Sequence, residues 1–252
     1  MIVLLGDTLT LFRREAIRYR RDRAYWVGQM VFPLAAVGFF GFGLNDVVEL
    51  PTGTDYVGHL ASGILVLVIS SGAVGGGFSL IEDRETGFLR ALLIAPVAPA
   101  SIVLAKMAAR LAASLLLVAM LLAILATFTA LRLPEPAALL GAITAVTAVF
   151  VSLGIAIASR LRRLESFRLF AALVTVPLYL FSGIFYPITT LPSPMRWLSY
   201  GNPLSYGVDL FRFGLLGIHE IPLATSAVML ALLSVGATVL AVASLNHQRA
   251  DR

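Results

Sequence analysis

Chemically active side chains are sparse in this chain of 252 residues, and their densest group lies between two long apolar runs. Three acids and an arginine come first, then a glycine, then apolar residues spaced as on one face of a helix. Charged groups of this kind set the specificity of a protein contact, and an apolar helix face can fill a groove. The pattern predicts a contact surface, with these residues: Glu82, Asp83, Arg84, Glu85, Gly87, Phe88, Leu89 and Leu92. The alternative is a simple turn whose leucines sit in the membrane interface.

Residue types that support catalysis are missing or isolated. The chain has no cysteine, and its three histidines are far apart in sequence. Neither a metal-binding H-E-x-x-H nor a hydrolase G-x-S-x-G motif is present. The single lysine, Lys106, has no phosphate-binding loop around it. The sequence therefore predicts that the chain is not an enzyme and holds no cofactor and no metal.

Composition places the chain in a membrane. Hydrophobic residues make up 59% and charged residues 13%, against about 25% charged residues in soluble domains. The apolar runs are solid rather than alternating, which indicates helices and not barrel strands. We expect an all-α integral membrane protein forming one domain, residues 1–252, with six spans at 24–44, 57–80, 107–130, 137–159, 169–186 and 222–245. Several of these spans lack any acid, Lys or Arg, so a proton or ion relay is not expected.

The distribution of basic residues predicts the orientation. Sixteen of the 19 Lys and Arg residues lie in the N-terminal segment, loops 81–110 and 160–168, and the C-terminal tail. Three lie in the alternate segments. By the positive-inside rule, both termini and the segment 82–95 are expected in the cytoplasm. The net charge of +5 then reflects topology rather than nucleic-acid binding.

Two further segments are predicted as short helices. Residues 1–23 form a basic amphipathic stripe, typical of a helix in the cytoplasmic interface; the arginines could serve only to orient the first span, or the helix could also contact a partner. The residues proposed for this interface helix are Phe12, Arg13, Arg14 and Tyr19.

Residues 187–221 are broken by prolines yet apolar, so we expect one or two short helices on, or dipping into, the outer leaflet. Gly72 and Gly76 form a G-x-x-x-G pair, which favours close helix packing over a hinge.

Two motifs carry a family resemblance. The first is Glu85-Thr86-Gly87-Phe88-Leu89-Arg90-Ala91-Leu92-Leu93, and the second is Asn202-Pro203-Leu204-Ser205-Tyr206, preceded by Phe185-Tyr186-Pro187-Ile188. In this order, and with this six-span layout, the whole chain resembles type-2 permeases of ATP-binding-cassette (ABC) exporters. It looks most like the daunorubicin-resistance and nodulation-factor branch; polysaccharide and teichoic-acid export permeases are close relatives.

The resemblance implies an ATP-driven exporter in the plasma membrane of a bacterium. Segment 82–95 would be a coupling helix that docks on an ATPase. The complex would contain two permease copies, as a homodimer or a pseudo-dimer, and two ATPase subunits that bind ATP and Mg. The cargo would be a drug, lipid or glycoconjugate, as in multidrug export and antibiotic resistance; a non-transporting membrane scaffold is the alternative from another class.

A substrate path between the two copies would draw on the aromatic residues of the spans. The candidates are Phe32, Phe39, Phe40, Phe181, Phe185 and Tyr186. Such residues suit an apolar or polycyclic cargo. Ordinary core packing explains the same residues equally well.

Overall fold

The computed structural model describes residues 2–51, 53–95, 97–127, 133–161 and 163–250, and this part of the chain is helical without strands. The all-α prediction is confirmed. The α-helices are α1 (Ile2–Arg21), α2 (Arg23–Ala36), α3 (Phe42–Leu44), α4 (Tyr56–Glu85), α5 (Phe88–Ile94), α6 (Pro99–Leu125), α7 (Pro136–Arg160), α8 (Leu164–Leu180), α9 (Ser193–Tyr200), α10 (Pro203–Leu216) and α11 (Leu223–Ala250). A π-helical turn, Val37–Gly41, joins α2 to α3, and a 3₁₀ turn, Ile188–Thr190, precedes α9.

Within the described residues, five helical segments are long and apolar enough to cross a membrane. They are Arg23–Leu44, Tyr56–Glu85, Pro99–Leu125, Pro136–Arg160 and Leu223–Arg249. The predicted span 169–186 corresponds to α8, whose 17 residues extend about 26 Å, less than the ~30 Å hydrocarbon core. The count of six spans and the cytoplasmic location of both termini therefore stay predictions. Residues 128–130 of the third predicted span, and Arg132, Arg162 and Arg252 of the charge count, lie outside the described residues.

The predicted helix 82–95, called the contact segment below, has different boundaries in the structure. Helix α4 continues through Glu85, and Gly87 adopts a left-handed conformation with φ of 76° before α5 begins. The predicted helix 82–95 is thus divided by a sharp elbow, which glycine permits at low cost. Helix α6 begins at Pro99, eight residues before the predicted start at 107, because proline suits the first helical position.

Helix α4 is the centre of the bundle. Its side chains are buried along most of its length, where it packs against α7 and α10. Small residues allow the close approach: a Cβ on Gly77 would lie 2.5 Å from the carbonyl oxygen of Gly154 on α7. On Gly76 it would lie 3.0 Å from the side chain of Val151. These contacts agree with the predicted packing role of Gly76.

The segment between α8 and α11 has one exposed and one buried helix. Trp197 on α9 is exposed, whereas α10 is packed against α4, α7 and α11. Asn202 fixes the start of α10: its side chain accepts a hydrogen bond from the Leu204 amide at 2.9 Å and donates one to the Leu178 carbonyl at 2.7 Å. The segment thus contains two short helices, as predicted, and their position relative to the outer leaflet stays a prediction.

Candidate coupling surface and its buried support

The contact segment forms a projecting elbow at the end of α4. Glu85, Arg90 and Ile94 are exposed, and Ile94 is exposed to 77%. Together with Arg84 and Gly87 they line a surface depression of about 580 Å³. An exposed isoleucine between two opposite charges resembles the apolar centre and charged rim of a protein–protein contact. The elbow can therefore seat a side chain from another protein.

A buried ion network lies directly behind this surface, with Lys106 of α6 at its centre. Its Nζ donates to Asp83 Oδ2 at 2.6 Å, to Glu15 Oε1 at 2.9 Å and to the Ser79 hydroxyl at 2.5 Å. Lys106 is only 5% exposed, and both carboxylates are buried. Buried charges persist only when paired and hydrogen-bonded. The network therefore ties α1, α4 and α6 into one unit.

Arginines of α1 extend this network to the elbow. Arg14 donates to Asp83 Oδ1 at 2.7 Å and to Glu15 Oε1 at 3.1 Å. The same guanidinium lies 3.8 Å from the ring centroid of Phe88, a cation–π contact with α5. Arg18 forms an ion pair with Glu82. The N-terminal helix α1 thus contacts both the end of α4 and the start of α5.

Arg84 connects the elbow to α7. Its guanidinium donates to the carbonyl oxygens of Leu161, Ala158 and Ser159 at 2.8, 3.1 and 3.3 Å. The last carbonyls of a helix have no partner within the helix, and a cation is favourable there. Arg84 therefore caps the C-terminal end of α7 and fixes it to the end of α4.

The structure divides the predicted contact residues by exposure. Glu85 and Gly87 are exposed, and Asp83 and Leu89 are buried. The half-buried residues are Glu82, Arg84, Phe88 and Leu92. In α1, Arg13 is exposed, and the half-buried residues are Phe12, Arg14 and Tyr19. The roles of these residues in coupling stay predictions.

Sequence reasoning missed two kinds of residue at this site. Glu15 and Lys106 were not assigned to it, although a single lysine in an apolar helix indicates a buried partner. Arg90 and Ile94 lie on the exposed side of α5, and only the direction of the elbow reveals them.

The aromatic candidates for a substrate path lie on two segments. Phe39 and Phe40 occupy the π-helical turn, with ring centroids 5.2 Å apart in an edge-to-face arrangement. Both are exposed, as is Phe32 on α2. After α8, Phe181 and Phe185 are half-buried, and Tyr186 is exposed. Since π-helical turns occur frequently at functional sites, the first group is the stronger candidate.

A second buried ionic cluster lies at the opposite end of α4. Arg212 of α10 pairs with Glu220 at 2.8 Å and donates to the Gly183 carbonyl at 2.8 Å and to the Ser62 hydroxyl at 3.3 Å. His59 Nε2 lies 3.2 Å from the same guanidinium. The sequence count treated Arg212 as a loop residue, whereas the structure buries it. Among the described residues, no group of three or more His, Asp or Glu side chains is arranged for a metal ion.

The helical bundle and its apolar spans define a multi-pass membrane protein with a protruding contact surface. The sequence profile described as "ABC-2 type transporter" matches residues 7–216, and the chain belongs to this family, as its motifs predict. Membership implies association with an ABC ATPase.

Relatives agree with this assignment. The chain is 26% identical over 223 residues to the inner membrane transport permease YadH of Escherichia coli K12, covering 86% of each chain. It is 24% identical over 240 residues to nodulation protein J of Sinorhizobium fredii, covering 90% of this chain and 91% of that protein. It is 28% identical over 216 residues to the putative transport permease ycf38 of Pyropia yezoensis, covering 83% of this chain and 74% of that protein. With its five apolar helices, these similarities identify a multi-pass protein of the bacterial inner membrane.

Proposed function

We propose that this chain is the membrane-spanning subunit of an ATP-driven exporter. Two copies assemble with two ATPase subunits, which hold ATP and Mg. The cargo is hydrophobic or amphipathic: a drug, a lipid or a glycoconjugate. The observation that carries the proposal is the exposed elbow, Glu85–Ile94, with rigid anchors on three neighbouring helices.

The anchors indicate how force from an ATPase would reach the membrane. A push on α5 passes through Phe88 and Asp83 to Arg14 and Lys106, and through Arg84 to the end of α7. Because these contacts are short and largely buried, the elbow cannot bend without moving α1, α4, α6 and α7. The result is a rigid-body displacement of the hinge or shear kind. In this mechanism Asp83 and Arg84 are positioning residues, and Glu85, Arg90 and Ile94 contact the ATPase.

The exposed aromatic group on α2 and the π-helical turn supports an apolar cargo. Phe39 is 77% exposed in the single chain. A second copy placed against α2 would enclose these rings between the protomers. Aromatic rings offer a large apolar contact area. This group therefore supports a hydrophobic or amphipathic cargo.

The ATPase contact is tested with surface variants of the elbow. The tagged chain in nanodiscs should retain a soluble Walker-type ATPase, identified by mass spectrometry. The double variant Arg90→Glu and Ile94→Asp should lower this retention at least tenfold, since it reverses a charge and removes the apolar centre. The matched control is Arg163→Glu, an equally exposed arginine before α8, and it should bind normally. An intact wild-type chain that never retains an ATPase would overturn the proposal.

The cargo assignment is tested by transport in proteoliposomes with the purified complex. The double variant Phe39→Ala and Phe40→Ala should lower export of a polycyclic drug or lipid while ATP hydrolysis continues. Val235→Ala with Val239→Ala is the control, because both valines are exposed on α11. Equal loss in both double variants would contradict a specific aromatic path.

A further inference from the structure

A pocket of about 250 Å³ lies between α1, α2, α4 and α6. Tyr19 and Tyr25 line it, together with Gly72 and Gly75 of α4 and Arg110 of α6. Glu15, Ser79 and Glu82 of the support behind the elbow also line it. Arg110 takes no part in that support.

Arg110 is a buried cation at this pocket, and no ion pair among the described residues neutralises it. It is 1% exposed, and Nη1 donates to the Tyr25 hydroxyl. Its Nε and Nη2 have no hydrogen-bond partner within the described part of the chain. Two tyrosine rings flank the guanidinium, with centroids 5.7 and 5.2 Å from its central carbon. A buried cation without a counter-charge is costly, and an anion in the adjoining pocket would supply that charge.

The other charged groups around the pocket already have partners. Glu15 is held by Lys106, and Glu82 pairs with Arg18. Asp22 is exposed at the rim, where its carboxylate accepts the Tyr25 amide and starts α2. Among the described residues Arg110 forms no ion pair, so it is the cation at this pocket that lacks a counter-charge.

The shape of the α4 wall fits the guanidinium. A Cβ at Gly72 would overlap Arg110 Nη2, whereas a Cβ at Gly75 would meet nothing within 4 Å. Gly72 thus leaves the space in which the guanidinium lies against α4. The matched control is Gly141 on α7, which does not line the pocket and where a Cβ would also meet nothing within 4 Å.

The surroundings favour a lipid over a free ion. Phe78 lines the pocket, and Val27 and Val31 on α2 are exposed. Tyr25 and Trp26 lie at the start of α2, the first apolar helix, and such aromatic side chains favour the headgroup layer. A polar pocket at this depth, next to an apolar helix face, matches a molecule with an anionic head and acyl chains.

We propose that this pocket binds the phosphate of a glycerophospholipid, with the buried Arg110 guanidinium as its counter-charge. The acyl chains lie along the exposed face of α2. Binding of this lipid does not depend on the proposed transport function. It would add a link between α2, α4 and α6 at the base of the first span.

Fluorescence of Trp26 tests the proposal. Trp26 donates from Nε1 to the Tyr19 carbonyl at 2.9 Å, so its emission reports on the pocket. The chain has two tryptophans, and Trp197→Phe leaves Trp26 as the single probe. Purified full-length chain in detergent is titrated with phosphatidylglycerol, with diacylglycerol and with glycerol phosphate. We expect phosphatidylglycerol to bind about tenfold or more tightly than the other two.

Variants then assign the site. Arg110→Gln and Gly72→Ala should each abolish the preference for phosphatidylglycerol over diacylglycerol, and Gly141→Ala on α7, outside the pocket, should keep it. Circular dichroism and gel filtration establish that each variant is folded; if Arg110→Gln is not, Gly72→Ala decides. Equal binding of the two lipids by the wild type, or a full preference in either site variant, overturns the proposal. Equally tight binding of glycerol phosphate refutes the lipid and indicates a soluble phosphate compound.

Discussion

Lys106→Met tests most directly the buried ion network behind the coupling elbow. Methionine keeps the length and apolar character of the side chain but removes all three donors. Glu15 and Asp83 then remain buried without the cation that lies between them. The loss should loosen the contact of α1 with α4 and α6 without changing the exposed surface of α5.

The magnitude follows from burial and from the remaining partners. Removing one member of a buried ion pair costs about 3–5 kcal/mol. Arg14 still donates to both carboxylates after the substitution, so the lower end, about 3 kcal/mol, applies. Since about 1.4 kcal/mol is tenfold in an equilibrium constant, detachment of α1 should become roughly a hundredfold more frequent.

The absence of native cysteine makes the assay direct. Ser79→Cys places one thiol in the network, where the side chain is buried beneath α1 and hydrogen-bonded to Lys106. Maleimide reacts with this thiol only when α1 moves away. The labelling rate of the Ser79→Cys chain, with and without Lys106→Met, therefore measures detachment.

Arg13→Met is the control in the same cysteine background, because Arg13 is an exposed arginine on the same helix. Exposed charges contribute at most about 1 kcal/mol, so labelling should rise by no more than about fivefold. If Lys106→Met changes the rate no more than this control does, the buried network does not hold α1 in place.

Two further substitutions test the packing described above. Gly77→Ala should destabilise the chain by about 1–3 kcal/mol, because the new methyl group meets the backbone of α7. The measurement is thermal unfolding in detergent. Gly75→Ala is the control and should show no such loss, because the space around a Cβ at Gly75 is open. Arg212→Met should cost about 3–5 kcal/mol, because Glu220 stays buried without its cation. Arg196→Met, which removes bonds to backbone carbonyls only, should cost clearly less in the same melt, and equal losses would contradict the ionic explanation.

Sequence reasoning predicted the helical membrane class and the family because these depend on composition and local motifs. Solid apolar runs and the Glu85–Leu93 motif are visible without any tertiary contact. Helix boundaries, such as the start of α6 at Pro99, are harder to predict from sequence. A span that excludes charged residues starts at 107, beyond Lys106, whereas the helix itself starts earlier.

Buried ionic contacts could not be predicted from the sequence, for a different reason. Lys106 contacts residues 91, 27 and 23 positions away in sequence, and no local spacing encodes such neighbours. Gly72 shows the same limit: its spacing with Gly76 predicts a helix contact, but not that the contact is the guanidinium of Arg110. Sequence identifies small and charged residues in a span, while their pairing is decided by how the helices cross.

The distance along the chain between Glu15 and Lys106 has a consequence for biogenesis. Ribosomes synthesise about 5–20 residues per second, so the 91 residues between them take about 5 to 18 seconds. During this interval α1 has left the ribosome while its buried carboxylate still lacks its lysine. Until α6 is made, α1 has its ionic contacts with the end of α4 but lacks its packing against α6. The N-terminal helix is therefore made first, and its packing is completed only with the third apolar helix of the chain.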